Sequence, residues 1–362
     1  MSTILLAIKP EYVEKIFDGT KKYEFRRRLP NINVEKMIVY STSPIKKVIG
    51  EVEVVGTLSM KKTPLWEKTK GYAGISREGY RAYFEKAEIA NAFSLGRATR
   101  YDEPKELADY DINQAPQSFV YLPQCPFCGK VLAKKKSKWT ALSQSEEHII
   151  PLSLGNDKLV LPAGTVCDDC NNYFALNIEK DFLNIETIRK LRSYHVIESR
   201  RKKVPDLDIE FGLEKTKLEF SPRDNCCFIG LSAETIDLLK NGEIKNFYSS
   251  GINIDELKNN YSVSRFLVKV FLEMCLFYAL QFSSNNSPKK IYSFDEKMKD
   301  IVHYVRDGDR NKKIYMYSVQ QYEKVEPFSN NDFIASVKLE VDQKSIVGMT
   351  LRLYELEFKL DI

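Results

Sequence analysis

Two cysteine pairs, Cys125-Pro126-Phe127-Cys128 and Cys167-Asp168-Asp169-Cys170, constrain the fold of this chain more than any other feature. Paired CxxC motifs supply the four thiolates of a closed tetrahedral zinc site, each pair wrapping one side of the ion. Such a site staples together the ends of the intervening segment. That segment carries Glu146-Glu147-His148-Ile149-Ile150-Pro151, and Asn171-Asn172 follows the last cysteine directly. The rival for this spacing, two redox CxxC pairs, leaves the neighbouring Glu-His and Asn-Asn without a purpose.

Seven cysteines, four of them at zinc spacing, argue for a reducing cytoplasm over a disulfide framework. Cys226, Cys227 and Cys275 sit in apolar stretches and are expected to be inert core residues. At 362 residues, 43% hydrophobic and 29% charged, the chain has room for two or three globular domains. The start is too polar after Leu6 for a secretory signal. The most apolar run, Phe266 to Phe282, contains Lys269 and Glu273, so it reads as a buried helix and no membrane partner is expected.

A net charge of +5 says little by itself, but its distribution says more. Lys130, Lys134, Lys135, Lys136 and Lys138 follow the first CxxC. Arg189, Lys190, Arg192, Arg200, Arg201, Lys202 and Lys203 follow the second. Basic patches beside a metal site suit a polyanion, whose neutralised phosphates release counterions. Solvated loops are the plain alternative.

Three segments follow from patterning. Residues 1–122 read as a small β-barrel. A strand at Leu5 to Ile8 precedes a helix that Pro10 opens and Gly19 stops, with Tyr12, Val13, Ile16 and Phe17 on its apolar face. Strands are expected at Tyr23 to Arg26, Met37 to Tyr40, Val48 to Leu58 and Ser118 to Leu122, and a helix over 76–90. Residues 123–200 hold the zinc-stapled segment, with a helix from about Asn171. Residues 201–362 read as α+β: strands at Leu207 to Leu213, Lys217 to Ser221 and Cys227 to Leu231, a long helix at Ser264 to Gln281, and strands at Lys313 to Ser318, Asp332 to Val341 and Ser345 to Leu360. The overall class is α+β. This last region is a candidate for dimerisation or for clamping DNA.

The order CxxC, Glu-His-Ile-Ile-Pro, CxxC-Asn-Asn-x-Phe over residues 125–182 resembles the HNH endonucleases. Gly19, Lys21, Glu24 and Arg26 fit the Gly-x-Lys-x-x-Glu-x-Arg motif of the ASCH domain, a PUA-like barrel. Trp66 after Pro64, and Gly74-Ile75-Ser76, extend that similarity over residues 4–122. The first resemblance implies a ββα-metal module, with a hairpin bearing the histidine and a helix near the second CxxC supplying a further ligand. The second implies a pocket for nucleic acid or a modified base, and relatives fused to HNH modules look like modification-dependent restriction enzymes.

On that resemblance, His148 would be the general base of a phosphodiesterase. Glu147 and Asn171 would hold Mg²⁺ or another divalent cation, Asn172 and Glu179 standing behind them. Glu146 competes with Glu147, although alternation along a strand sends it to the other face. Many HNH enzymes carry a middle asparagine nine residues before the final ligand. Here that position is Pro162, and Asn156 is the substitute at hand for orienting His148. His195 and His303 fall in core or surface patterns. In the barrel, Lys21, Glu24 and Arg26 would line the pocket, Arg27 and Arg28 would contact phosphate, and Trp66 or a tyrosine would stack on a flipped base. The expected function is an endonuclease of modified DNA, acting as a possible homodimer. An RNA-directed nuclease and a non-catalytic nucleic-acid reader are the alternatives.

Overall fold

The computed structural model describes residues 2–31, 33–133, 140–199, 201–221, 223–224, 226–282, 294, 298–322, 335–342 and 345–362. Lys134, Lys135, Lys136, Lys138 and Arg200, assigned above to basic patches, lie outside the described residues. The chain divides into two units, one built on Met1–Ser145 and Ala163–Asp169, the other on Glu146–Pro162, Cys170–Ser284 and Met298–Ile362.

The first unit opens with β1 (Thr3–Ile8), α1 (Pro10–Phe17), β2 (Tyr23–Arg26), β3 (Lys36–Ser41) and β4 (Lys47–Lys61). It continues through α2 (Lys62–Thr69), α3 (Arg77–Tyr83), β5 (Ile89–Lys105), β6 (Phe119–Leu122), β7 (Val131–Ala133) and β8 (Thr140–Leu142). Six strands make one sheet in the order β2-β5-β4-β3-β1-β6. Strand β1 lies inside it, parallel to β3 and antiparallel to β6.

Period-two alternation sends Ile4, Leu6 and Ile8 into one core cluster with Val13 and Ile16 of α1, and Leu5 into a second with Ile38 and Tyr40. Both faces of β1 are therefore buried, which is why it reads as an unbroken apolar run. Pro10 fits the first turn of α1, where a missing N–H costs nothing, and Gly19, at φ +82°, turns the chain after the helix. The helix expected over 76–90 covers only Arg77–Tyr83, with Ser76 Oγ accepting from the Gly79 N–H at 3.1 Å. From Ile89 the chain turns into the longest strand of the sheet, β5, which the sequence reading lacks.

The second unit carries a short antiparallel pair, β9 (Glu147–His148) with β10 (Val160–Leu161), placing His148 opposite Val160 and Glu147 opposite Leu161. Helix α4 (Asp168–Phe174) lies further along the chain. A π-helical turn at Ala175–Glu179, α5 (Lys180–Leu183) and α6 (Glu186–Tyr194) follow it. Strands β11 (Leu207–Phe211), β12 (Glu214–Ser221) and β13 (Cys226–Ile229) come next, then α7 (Ala233–Lys240), β14 (Tyr248–Ser249) and the 22-residue α8 (Tyr261–Phe282). Last come α9 (Lys299–Asp307), β15 (Tyr317–Gln321), β16 (Ala335–Asp342), β17 (Ser345–Leu353) and β18 (Leu356–Asp361). Two four-stranded sheets result, β13-β12-β11-β14 and β15-β18-β17-β16.

The long helix is the buried element its apolar run implies: Val263, Phe266, Leu267, Val268, Val270, Phe271 and Leu272 are all fully covered. No helix among the described residues is long and apolar enough to cross a membrane. One expectation is corrected: Cys226 and Cys227 are exposed, because β13 is an edge strand of its sheet.

Candidate active site

The four zinc-spaced cysteines converge. The sulfurs of Cys125, Cys128, Cys167 and Cys170 lie within 4.8 Å of one another. Cys128 Sγ and Cys167 Sγ are 3.6 Å apart, close to the roughly 3.8 Å edge of a tetrahedron built on Zn–S bonds of about 2.3 Å. That separation is far beyond the ~2.05 Å of a disulfide. Sulfur chemistry, number and spacing all fit a structural zinc ion. Asp168, between the last two ligands, accepts hydrogen bonds from the Gln144 and Ser145 N–H groups at 3.0 Å each, pinning the chain just ahead of the Glu-His strand.

Strand β9, α4 and the π turn then build a cavity of about 590 Å³. Its lining includes Glu147, His148, Asn171, Glu179, Arg192 and Arg201. Four of the five residues expected to act in catalysis thus face one space. The fifth, Asn172, is exposed and outside that lining. Asn171 Nδ2 donates to the Glu146 carbonyl at 3.0 Å, which ties the helix to the strand and leaves the side-chain oxygen for another partner. Asn156 Oδ1 accepts from the N–H groups of Lys158 (3.0 Å) and Leu159 (3.4 Å), so it shapes the β9–β10 connection.

Behind the cavity lies a group that sequence reasoning missed. Lys269 of α8 has no exposed surface, and its Nζ lies 2.9 Å from Glu147, 2.8 Å from Glu179 and 2.9 Å from Glu273. It also donates to the carbonyls of His148 (3.1 Å) and Ile149 (3.4 Å). Burial alone would lower its pKa, but three carboxylates hold the ammonium well above its ordinary value. Burial likewise pushes the carboxyls of Glu147 and Glu273 up, against the pull of Lys269. One positive charge among three acidic side chains leaves an excess of negative charge that a proton or a cation must offset.

Glu147 is 3% exposed, and its Oε2 is buried without a hydrogen-bond partner. An orphaned carboxylate oxygen and the Asn171 amide oxygen on the same cavity are hard donors that fit a divalent cation. The signal for Lys269 was available: a Lys-Glu pair four residues apart inside an otherwise apolar buried helix needs a partner.

The basic stretch around α6 is partly spent within the fold. Arg189 pairs with Asp208 at 2.9 Å, Lys190 with Glu186 at 2.6 Å, and Lys202 with Glu198 at 3.4 Å. Arg192 donates from Nε to the Ser153 carbonyl at 2.6 Å, and burial lowers its pKa. His195 lies 2.9 Å from Glu355, and His303 lies 3.0 Å from Asp307.

A second cavity, of about 390 Å³, opens in the first unit. Its lining includes Tyr12, Lys21, Glu24, Arg26, Tyr80 and Tyr83. Lys21 is 3% exposed, donates to the Ala73 carbonyl at 2.8 Å and lies 3.5 Å from Glu24, which Arg26 meets at 3.0 Å. Burial lowers the Lys21 pKa, and Glu24 opposes that shift. Trp66 packs on Tyr80 with ring centroids 5.0 Å apart and is not part of this lining; Tyr12, Phe25, Tyr80 and Tyr83 are its aromatic walls. Arg27 is exposed, donates to the Tyr83 carbonyl at 3.0 Å and stays outside it.

Comparison with known proteins covers the segments that hold the two cavities. The model of the ASCH domain matches residues 6–97, and that of an HNH endonuclease matches residues 125–185. ATP synthase subunit alpha of Ureaplasma parvum is 34% identical over 121 residues, and large ribosomal subunit protein uL22 of the same species 32%. Those matches take in 33% of this chain but only 15% and 39% of the relatives' own lengths. An ASCH domain-containing ribonuclease of Zymomonas mobilis is 34% identical over 125 residues, 33% of this chain and 82% of that protein. The crystal structure of ASCH from Zymomonas mobilis aligns at 31% identity with a TM-score of 0.32, over 33% of this chain and 87% of that one. The chain belongs, through its N-terminal third, to the ASCH-domain family, and behind that domain it carries an HNH endonuclease domain.

Proposed function

We propose that this protein is a metal-dependent endonuclease that cuts DNA at sites marked by a modified base, with the ASCH cavity as the reader. The observation that carries the reading is the gathering of His148, Glu147, Asn171 and two arginines around one cavity. His148 lines the cavity with its Nδ1 buried, and its other ring nitrogen, Nε2, would take a proton from the attacking water. Glu147 and Asn171 would hold a divalent cation, which supplies charge stabilisation at the leaving oxygen. Arg192, fixed through its Nε on Ser153, presents the rest of its guanidinium to a phosphate, and Arg201 widens the positive rim. In the reader, Glu24 and Arg26 on one strand face offer an acceptor and a donor for a base edge, while Tyr12, Tyr80 and Tyr83 offer rings to stack on it. A double-strand cut from a single-metal centre calls for two copies, so a homodimer working in a reducing cytoplasm is part of this proposal.

RNA is the second reading, favoured by the name of the Zymomonas relative, a ribonuclease matched over most of its length. The test is cleavage with Mg²⁺ or Mn²⁺ of unmodified DNA, cytosine-modified DNA and structured RNA, with His148→Ala alongside. Cutting confined to modified DNA, and reduced about 10²- to 10⁴-fold in the variant, supports the first reading. Cutting of RNA alone replaces it with the second. Tight binding without cutting of any substrate sinks both and leaves a nucleic-acid reader.

A further inference from the structure

Helix α8 is apolar and buried for most of its length, yet Arg265, Lys269 and Glu273 stand on it four residues apart. With 3.6 residues per turn, that spacing makes a single stripe. All three are buried, at 7%, 0% and 0% exposure. Arg265 donates to the Asn177 carbonyl (3.1 Å), the Tyr173 hydroxyl (2.6 Å) and the carbonyls of Tyr304 (3.4 Å) and Val305 (2.7 Å). One turn on, Lys269 holds Glu147 and Glu179 and the main-chain carbonyls of His148 and Ile149. The stripe therefore touches both walls of the candidate centre: the strand that carries Glu147 and His148, and the helical segment from Tyr173 to Glu179.

We infer that this stripe is the positioning element of the nuclease centre, setting the separation between the Glu147-His148 strand and the helix that bears Asn171. The inference rests on reading that cavity as a nuclease centre. A lysine present only to balance buried carboxylates needs no grip on the backbone, but Lys269 bonds the carbonyl of His148 itself. The helical wall also contains the π turn Ala175–Glu179, an irregularity of a kind frequent at functional sites, and the stripe holds it at Asn177 and Glu179. Without these bonds the strand and the π turn would each settle by local preference.

Full-length Lys269→Gln and Arg265→Lys are compared with wild type in two ways: Mn²⁺ affinity by electron paramagnetic resonance without substrate, and kcat and KM on whichever nucleic acid wild type cuts. Lys269→Gln is expected to lower kcat about 10²-fold, the effect of a misplacement near 1 Å, with KM nearly unchanged. It is also expected to weaken Mn²⁺ binding about tenfold, as loss of a group that orients a metal ligand does. Arg265→Lys keeps the charge and part of the bonding, so a smaller fall of the same pattern is expected. It carries the test if circular dichroism shows Lys269→Gln unfolded. A folded variant of either kind with wild-type kcat and wild-type Mn²⁺ affinity overturns the inference. A wild type that binds Mn²⁺ but cuts nothing removes the nuclease reading instead. The positioning role then stands or falls on Mn²⁺ affinity, and unchanged affinity in the variants rejects it.

Discussion

Arg201 and Arg192 both line the cavity beside His148, but they sit in it on different terms. Arg192 is 8% exposed and anchored on Ser153, whereas Arg201 is exposed. An exposed arginine acts on a polyanion mainly through charge. Arg201→Ala should therefore weaken binding evenly across sequences and flatten the slope of log affinity against log salt by about 0.9 for duplex DNA. Equilibrium binding between roughly 50 and 200 mM salt measures this, and an unchanged slope would place Arg201 away from the phosphates. The thiols separate as sharply. Cys226 and Cys227 are exposed, four others converge in one cluster that fits zinc, and burial pushes the Cys275 thiol up to about 12. Only thiolate reacts, so a disulfide reagent at about pH 8 should find Cys226 and Cys227 quickly in the zinc-loaded protein. The four zinc ligands should follow on chelation, and Cys275 only on unfolding. Rapid modification of Cys275 in the native state would contradict its placement.

Among the elements, β4 and β5 depend on a close approach at Gly50. A Cβ there would come within 2.3 Å of the Thr99 carbonyl, next to a register shift between Val48 and Gly50. Gly56, on the same strand, has open space around it. Gly50→Ala should cost about 1–3 kcal/mol in urea unfolding, and Gly56→Ala no more than about 0.5 kcal/mol. Equal effects would mean that the contact at Gly50 does not constrain the sheet. This contrast also shows what the sequence could disclose. Strands β1, β3 and β6, helix α1 and the interior helix α8 were legible because short apolar runs, Pro10 and Gly19 act locally. Strand β5 was not: Ala90, Asn91, Ala92, Ser94 and Gly96 carry weak strand preference, and pairing with β2 and β4 decides the matter. The π turn has no local signature, and Glu179, at its end, meets Lys269, 90 positions further along the chain. The cysteine ligands and the gathering of Glu147, His148 and Asn171 could be read because the motif spacing encodes them. Lys269 could not be placed, since nothing near it in sequence says which carboxylates it will meet.

For the whole molecule, a zinc ion on the four-cysteine cluster would govern whether the segment between the cysteine pairs has fixed ends. Metal analysis should find about one zinc per chain, lost in Cys167→Ser, and cleavage should fail in that variant even with excess Mg²⁺. Full cleavage by zinc-free protein would show that the staple is dispensable. A different dependence follows from the lysine on α8. A piece of chain that ended where the HNH match ends, at residue 185, would hold Glu147 and Glu179 but lack Lys269, leaving two acidic side chains without the cation that neutralises them. The HNH domain is therefore not a cassette that recombination, or a protein engineer, can lift out at the edges of its motif. Whatever domain it is joined to, Tyr261–Phe282 has to travel with it.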